Sequence, residues 1–264
     1  MKEKLTIVKV GGAIVENHDS LQKLLDHFQQ IDGAKILVHG GGRSATALAA
    51  QMGIETKMVN GRRVTDAEML RIVTMVYGGL VNKNIVAQLQ ARSINALGLT
   101  GADAGVILSH RRPVVTTADG QSVDYGFVGD VYSTNGRVLA NLIESGITPV
   151  MAPLTHDGQG TLLNTNADTI AAETAKGMAD MFDVSLMYCF EHNGVLMDAD
   201  DESSVIPHIN AKSFQTLVAE GVIQGGMIPK IENALDACRN GVGCVVITHA
   251  DNISNTESGT VITL

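Results

Sequence analysis

The sequence predicts an α/β fold assembled from parallel βαβ units. Three observations carry the prediction. Short β-branched runs alternate with helix-period patterns over most of the chain, two of the runs end in glycine clusters, and 264 residues at 45% apolar content suffice to bury a substantial core. That length holds one large domain or two lobes sharing a sheet.

Leu5 to Val10 reads as the first strand. Leu21, Leu24, Leu25, Phe28 and Ile31 then repeat at helical spacing behind Asp19 and Ser20, either of which can supply the N-cap. Lys35 to His39 is the second strand and Ser44 to Met52 the second helix. A longer helical pattern runs from about Asp66 to Arg92 with Thr65 as its cap. The Gly78-Gly79 pair inside it costs roughly 1 kcal/mol per residue relative to Ala and marks a kink or a close helix contact. The stretch from Leu97 to Tyr132 reads as β-hairpins, with Asp119-Gly120 as a turn signal. A helix from Asn135 to Ser145 leads to a strand at Thr148 to Leu154, and a polar segment runs into a helix from Ala167 to Met178. The α/β alternation resumes with strands at Val184 to Phe190 and Gly243 to His249. Helices are expected near Ala211 to Glu220 and Pro229 to Asn240, and a last strand at Gly259 to Leu264.

Composition excludes several classes of function. The net charge is −9, and five Phe and four Tyr with no Trp leave neither a basic stripe nor a stacking surface for nucleic acid. Cys189, Cys238 and Cys244 form no Cys-x-x-Cys pair and are odd in number, which argues against a disulfide framework or a zinc site and fits a reducing cytoplasm. Lys2 and Lys4 precede an apolar stretch in the manner of a secretory leader, but Lys9 and Glu16 interrupt it and no small-residue cleavage site follows. No apolar run approaches the length of a membrane span.

The chemistry concentrates where strands hand over to loops. LTIVKVGGAI and KILVHGGGRS both place glycines at a strand end, where bare backbone N–H groups can approach an anion, and Lys9 adds a movable positive charge. Gly40, Gly42 and Ala45 also satisfy the loose dinucleotide fingerprint G-x-G-x-x-A, although the acidic residue that reading needs about twenty positions on is replaced by Val59 and Asn60. No G-x-x-x-x-G-K-[ST] occurs, so a P-loop is excluded. A strand end of this kind is read equally as a ligand loop or a plain tight turn. Lys230, in Gly225-Gly226-Met227-Ile228-Pro229-Lys230, stands in the first turn of a helix, where it opposes the dipole and gains a purpose if an anion docks there; otherwise it is a solvated surface lysine. In Asn164-Thr165-Asn166-Ala167-Asp168, Asp168 either caps the following helix or does chemistry. Arg62 and Arg63, after Asn60-Gly61, can hold a carboxylate through paired hydrogen bonds or lie on the surface.

Taken together and in this order, Lys9-Val10-Gly11-Gly12, His39 to Arg43, Gly61 to Thr65, Asn164 to Asp168 and Gly225 to Lys230 resemble the amino-acid kinase family, most closely its N-acetylglutamate kinase members, over nearly the whole chain. The resemblance implies a three-layer αβα sandwich with a mainly parallel central sheet. It implies an N-terminal lobe, residues 1–178, for acyl-glutamate binding and dimerisation, and a C-terminal lobe, residues 179–264, for ATP. The reaction it implies is phosphoryl transfer from MgATP to the side-chain carboxylate of N-acetyl-L-glutamate or a related N-acyl-glutamate, in arginine or ornithine biosynthesis. A carboxylate is already ionised at neutral pH, so no general base is required, and the task is to align two anions and offset their repulsion. By resemblance Lys9 and Lys230 flank the transferring group, and Asp168 holds the two lysines. Gly11, Gly12, Gly41 and Gly42 supply N–H donors, Arg63 grips the substrate α-carboxylate with help from Asn164, and magnesium arrives with ATP rather than in a protein metal site. The acyl group has a chemical purpose: a free α-amine would attack the nearby acyl phosphate and cyclise.

The resemblance thins at Met187 to Leu196. Gly194, Val195 and Leu196 follow the family pattern, whereas Cys189, Phe190 and Glu191 depart from its threonine-aspartate strand end at the nucleotide lobe. Cys189 reads as a small buried residue, and His192 and Asn193 as turn residues. Ser122 to Asp130 falls in the hairpin region that closes over the substrate in this family. Arginine-inhibited, ring-forming members carry a long helix ahead of the first strand, and its lack before Lys2 leads to the expectation of a homodimer without that feedback, joined through the Asp66 to Arg92 helix. Competing readings are another small-acid kinase of the family, for an aminoadipate derivative or carbamate, a nicotinamide-dependent oxidoreductase using the Gly40 to Ala45 loop, and a non-catalytic amino-acid-binding module.

Overall fold

The structure, a computed structural model, describes residues 2–116, 120–225, 227–254 and 258–264. Asp119 of the expected turn and Gly226 of the second lysine segment lie outside the described residues.

Strand β1 (Glu3–Val10) lies inside an eight-stranded sheet and alternates between two cores: Leu5 and Ile7 enter one, Val8 and Val10 the other. Burial on both faces makes this strand a near-continuous apolar run, as parallel sheets require. A five-residue helix α1 (Gly12–Glu16), too short to show a period in sequence, precedes α2 (His18–Gln30). The α2 cap is Asn17, which accepts the Ser20 N–H at 2.9 Å, rather than Asp19 or Ser20, because the helix begins one turn earlier than its apolar stripe. β2 (Ala34–His39) and α3 (Gly42–Gln51) follow.

Strands β3 (Met58–Val59) and β4 (Arg62–Arg63) form a hairpin whose two-residue turn is Asn60-Gly61, both at positive φ (48° and 71°). This is the primed-turn chemistry that Asn-Gly favours. α4 (Ala67–Val73) is capped by Asp66, which accepts the Met69 N–H at 2.8 Å, whereas Thr65 is fully buried and serves another contact. The helix then widens into a π turn, Thr74–Val81, and continues as α5 (Asn82–Ala91). The glycine pair therefore neither ends nor breaks it, and Gly78 packs against Thr100 and Leu154.

β5 (Ala96–Leu99) corrects the hairpin reading of Leu97 to Tyr132, because it pairs in parallel within the large sheet. The other strands of this stretch pair with one another antiparallel, as expected, β6 (Ile107–Arg111) with β9 (Gly129–Thr134) and β7 (Val115–Thr116) with β8 (Ser122–Val123), although the far edge of β6 takes a parallel neighbour. α6 (Gly136–Glu144) leads to β10 (Thr148–Met151). The single strand expected from Thr148 to Leu154 is interrupted at Ala152-Pro153, and β11 (Leu154–His156) joins β12 (Leu162–Asn164) in a second sheet of order β12-β11-β6-β9. Next come α7 (Ala167–Met178), β13 (Phe182–Phe190), β14 (His208–Ile209), α8 (Ala211–Ala219), α9 (Met227–Arg239), β15 (Cys244–His249) and β16 (Thr260–Ile262).

The large sheet has the order β14-β16-β15-β13-β1-β2-β10-β5, and only the β15–β16 pairing is antiparallel. One face packs on Leu139, Ile170, Leu217 and Ile231, from α6 to α9, and the other on Phe28, Ala45, Ile72 and Ile85, from α2 to α5. These are the three αβα layers. Val10 stands in register with His39 on one side and Cys189 on the other, so the carboxyl ends of β1, β2 and β13 open at one edge. In open parallel sheets ligands bind in the crevice beyond such an edge.

Candidate active site

Asp168 occupies that crevice. Its Oδ1 lies 2.6 Å from Lys9 Nζ and its Oδ2 accepts from Lys230 Nζ at 2.7 Å. The Lys9 contact is an ion pair without an aligned hydrogen bond. Burial opposes ionisation of Asp168, but the two ammonium charges outweigh it and hold the carboxyl at about 2. The group is an anion at any working pH. Capping of α7 falls instead to Asn166, which accepts the Asp168 and Thr169 N–H groups at 2.7 and 3.4 Å. Asp168 is thus released from that duty, and the capping alternative is set aside. Tyr188 reinforces the turn by donating its hydroxyl to the Asp168 carbonyl at 3.3 Å.

Lys9 is the penultimate residue of β1, and Lys230 is in the first turn of α9, close over the Phe190 ring at 5.8 Å. Lys9, Gly11, Gly12, Gly42 and Lys230 share a cavity of about 480 Å3. The two glycine loops abut: a Cβ on Gly40 would stand 3.2 Å from the Gly12 nitrogen, and one on Gly41 would stand 2.9 Å from the Tyr77 ring. The Gly41 and Gly42 amides find no acceptor among the described residues, which leaves donors at the amino end of α3 for an anion. Glu16 fastens the loops, accepting the Ser44 hydroxyl at 2.9 Å and its N–H at 2.5 Å.

A second cavity of about 190 Å3 holds Gly41, Gly42, Arg62, Arg63 and Asn164. The Asn60-Gly61 hairpin presents the two arginines, and Arg63 is clasped by the Gly42 carbonyl at 2.8 Å, Thr46 Oγ1 at 2.9 Å and Thr56 Oγ1 at 3.2 Å. Asn164 donates to the buried Thr65 hydroxyl at 2.9 Å, and the bridges Thr65–Gly126 and Val128–Asn164 bind both residues to the Ser122 to Asp130 region. Glu16 and Tyr77 carry no site signal in the sequence, and Thr65 reads there as a helix cap and the end of the Gly61 to Thr65 motif rather than as the partner of Asn164. Asn60-Gly61 was quoted there only as the lead-in to the arginines, although it is a recognised hairpin signal.

A third cavity of about 880 Å3 runs from Phe190 and Lys230 past Gly194 and Val195 to Gln224. It shares Phe190 and Lys230 with the middle cavity, which shares Gly42 and Arg63 with the second. The result is one trench. Cys189 is buried and its thiol is pushed up to about 12, so it remains protonated there. His192 pairs with Glu202 in an exposed bend.

A carboxylate bridging two lysines beside free backbone amides, at the carboxyl edge of a parallel sheet, defines an anion-handling site of the phosphotransferase class. The family profile described as "Amino acid kinase family" matches residues 4–249, and the chain belongs to that family. Proteins named acetylglutamate kinase are 64% identical in Bacteroides fragilis, over 98% of this chain and 97% of the relative, and 65% identical in Phocaeicola vulgatus, over 99% of both. Among solved structures, smu.665 from Streptococcus mutans superposes with a TM-score of 0.75 at 29% identity, covering 98% of each chain.

Proposed function

We propose that this chain is an ATP-dependent acetylglutamate kinase, which phosphorylates the side-chain carboxylate of N-acetyl-L-glutamate to the acyl phosphate in arginine biosynthesis. The observation that carries the reading is Asp168 between Lys9 and Lys230 at 2.6 and 2.7 Å, in a protein about two-thirds identical to curated acetylglutamate kinases.

In this reading the acyl-glutamate enters the cavity of Arg63 and Asn164, with its α-carboxylate on the Arg63 guanidinium. ATP, carried as its magnesium complex with the ion bridging the phosphates, lies along the Phe190 to Gln224 trench. The γ-phosphoryl then sits in the middle cavity. Lys9 and Lys230 offset the charge spread over its equatorial oxygens, and the Gly11, Gly12, Gly41 and Gly42 amides donate to the same oxygens. Asp168 keeps two like charges close together without requiring the substrate to be present. The lobes at 1–178 and 179–264 divide the acceptor from the nucleotide.

The same reading extends to a cytoplasmic homodimer joined through α4 to α5, where Met75 and Leu80 are half exposed. No helix among the described residues is long and apolar enough to cross a membrane.

A hydroxamate assay tests the reading. ATP is offered with N-acetylglutamate and other N-acyl-glutamates, beside free glutamate, carbamate and an aminoadipate derivative. Product is expected with an N-acyl-glutamate; ATP binding without hydroxamate from any acceptor would refute it.

A further inference from the structure

His39 ends β2 immediately before the glycine loop, and it is fully buried. Its Nδ1 lies 2.7 Å from the Gly40 carbonyl oxygen and its Nε2 3.1 Å from Asn82 Nδ2. The Asn82 amide is oriented by two other partners: Nδ2 donates to the Val150 carbonyl at 3.0 Å, and Oδ1 accepts from Lys83 Nζ at 3.1 Å. Asn82 therefore presents a donor to Nε2, which must carry the lone pair. Nδ1 must carry the proton, because a carbonyl can only accept. Burial, opposed by the Gly40 bond and aided by the Lys83 charge, pushes the imidazole down to about 4, so the ring is neutral with a single N–H.

The space around this chain of contacts is committed to it. A Cβ on Gly98 would stand 1.8 Å from Asn82 Oδ1, so the neighbouring strand has room for the amide only because that residue is glycine.

The consequence lies one peptide further on. In a trans peptide the C=O and N–H point in opposite directions. With the Gly40 oxygen held inward on His39, the Gly41 N–H points away from the core, on the side where Gly41 lines the cleft. We propose that His39, locked by Asn82 in the Nδ1–H tautomer, is a positioning residue that aims the Gly41 N–H at the transferring phosphoryl group. The proposal rests on the kinase reading. It adds a function for a histidine that would otherwise count as a satisfied core residue.

Two measurements test it. In the unmodified protein, nitrogen NMR of the imidazole should show an unprotonated Nε2, a readout that needs neither substrate nor turnover. In the kinase assay, His39→Asn keeps a donor near the Nδ1 position, whereas His39→Gln places its amide near Nε2 and leaves the Gly40 carbonyl unheld. The Gln variant should then have a kcat lower than the Asn variant by about tenfold or more, with both Michaelis constants similar in the two, because a misdirected donor is felt by charge in flight. A protonated Nε2 in the folded protein, or equal kcat in the two variants, overturns the proposal. Lack of hydroxamate from the unmodified enzyme with every acyl-glutamate instead refutes the kinase reading, and the tautomer measurement stands apart from it.

Discussion

Replacing Asp168 by Asn removes the central anion at nearly constant shape. Its carboxyl, held at about 2 against an ordinary 3.8, implies a net stabilisation of about 2 kcal/mol from the Lys9 and Lys230 charges after the cost of burial. Asp168, Lys9 and Lys230 side chains are 16%, 11% and 24% exposed, so solvent does little to screen the contacts. Leaving both ammonium groups without their partner should push the loss toward the roughly 3–5 kcal/mol seen when one member of a buried pair is removed. Because the folded pKa is depressed, this contribution is present in full above the unfolded value near 4 and fades as pH falls toward 2. Urea unfolding of both proteins across pH 2–7 should therefore show the largest gap near neutrality and a shrinking gap in acid. Adding Lys230→Met relieves the repulsion that Asp168 offsets, so the double variant should be less destabilised than the sum of the singles. A gap independent of pH, together with additive losses, would show that Asp168 does not hold the lysines.

Lys230→Met should lower kcat by about a hundredfold or more while the Michaelis constant for ATP changes little, as steady-state kinetics would show; a loss confined to ATP affinity would remove Lys230 from the transfer step. Arg63→Ala should raise the acyl-glutamate Michaelis constant by about tenfold or more, measured with ATP saturating. An unchanged constant would mean that Arg63 serves only the Gly42 and Thr46 contacts.

Much of this arrangement was legible in the sequence, for identifiable reasons. β1, β2 and β15 are apolar, β-branched runs buried on both faces, β13 is an apolar run with one β-branched residue, and α7 has the bounds that its helical pattern behind the polar segment predicts. The elements missed are those with weak local signals. Ala96 to Leu99 carries a glycine and no β-branched residue, so its place in the sheet comes from tertiary pairing with β10. The helix caps shifted by one to three residues because several adjacent polar side chains can cap, and only the helix start decides among them. The roles of Asp168 and Asn166 could not be divided from their spacing, since the division depends on two lysines that arrive from positions 9 and 230. The family resemblance supplied that long-range link, and the coordinates supply its distances. The His39–Asn82 contact spans 43 residues and leaves no local pattern at all.

The three cavities of the trench join through shared walls, at Gly42 and Arg63 on one side and at Phe190 and Lys230 on the other. In the proposed reading, two substrates seated in it face each other across the lysine pair, with no side chain required to carry the phosphoryl group between them. Such a path passes the group once, directly, so a chiral phosphorus labelled in ATP emerges in the acyl phosphate with its handedness inverted.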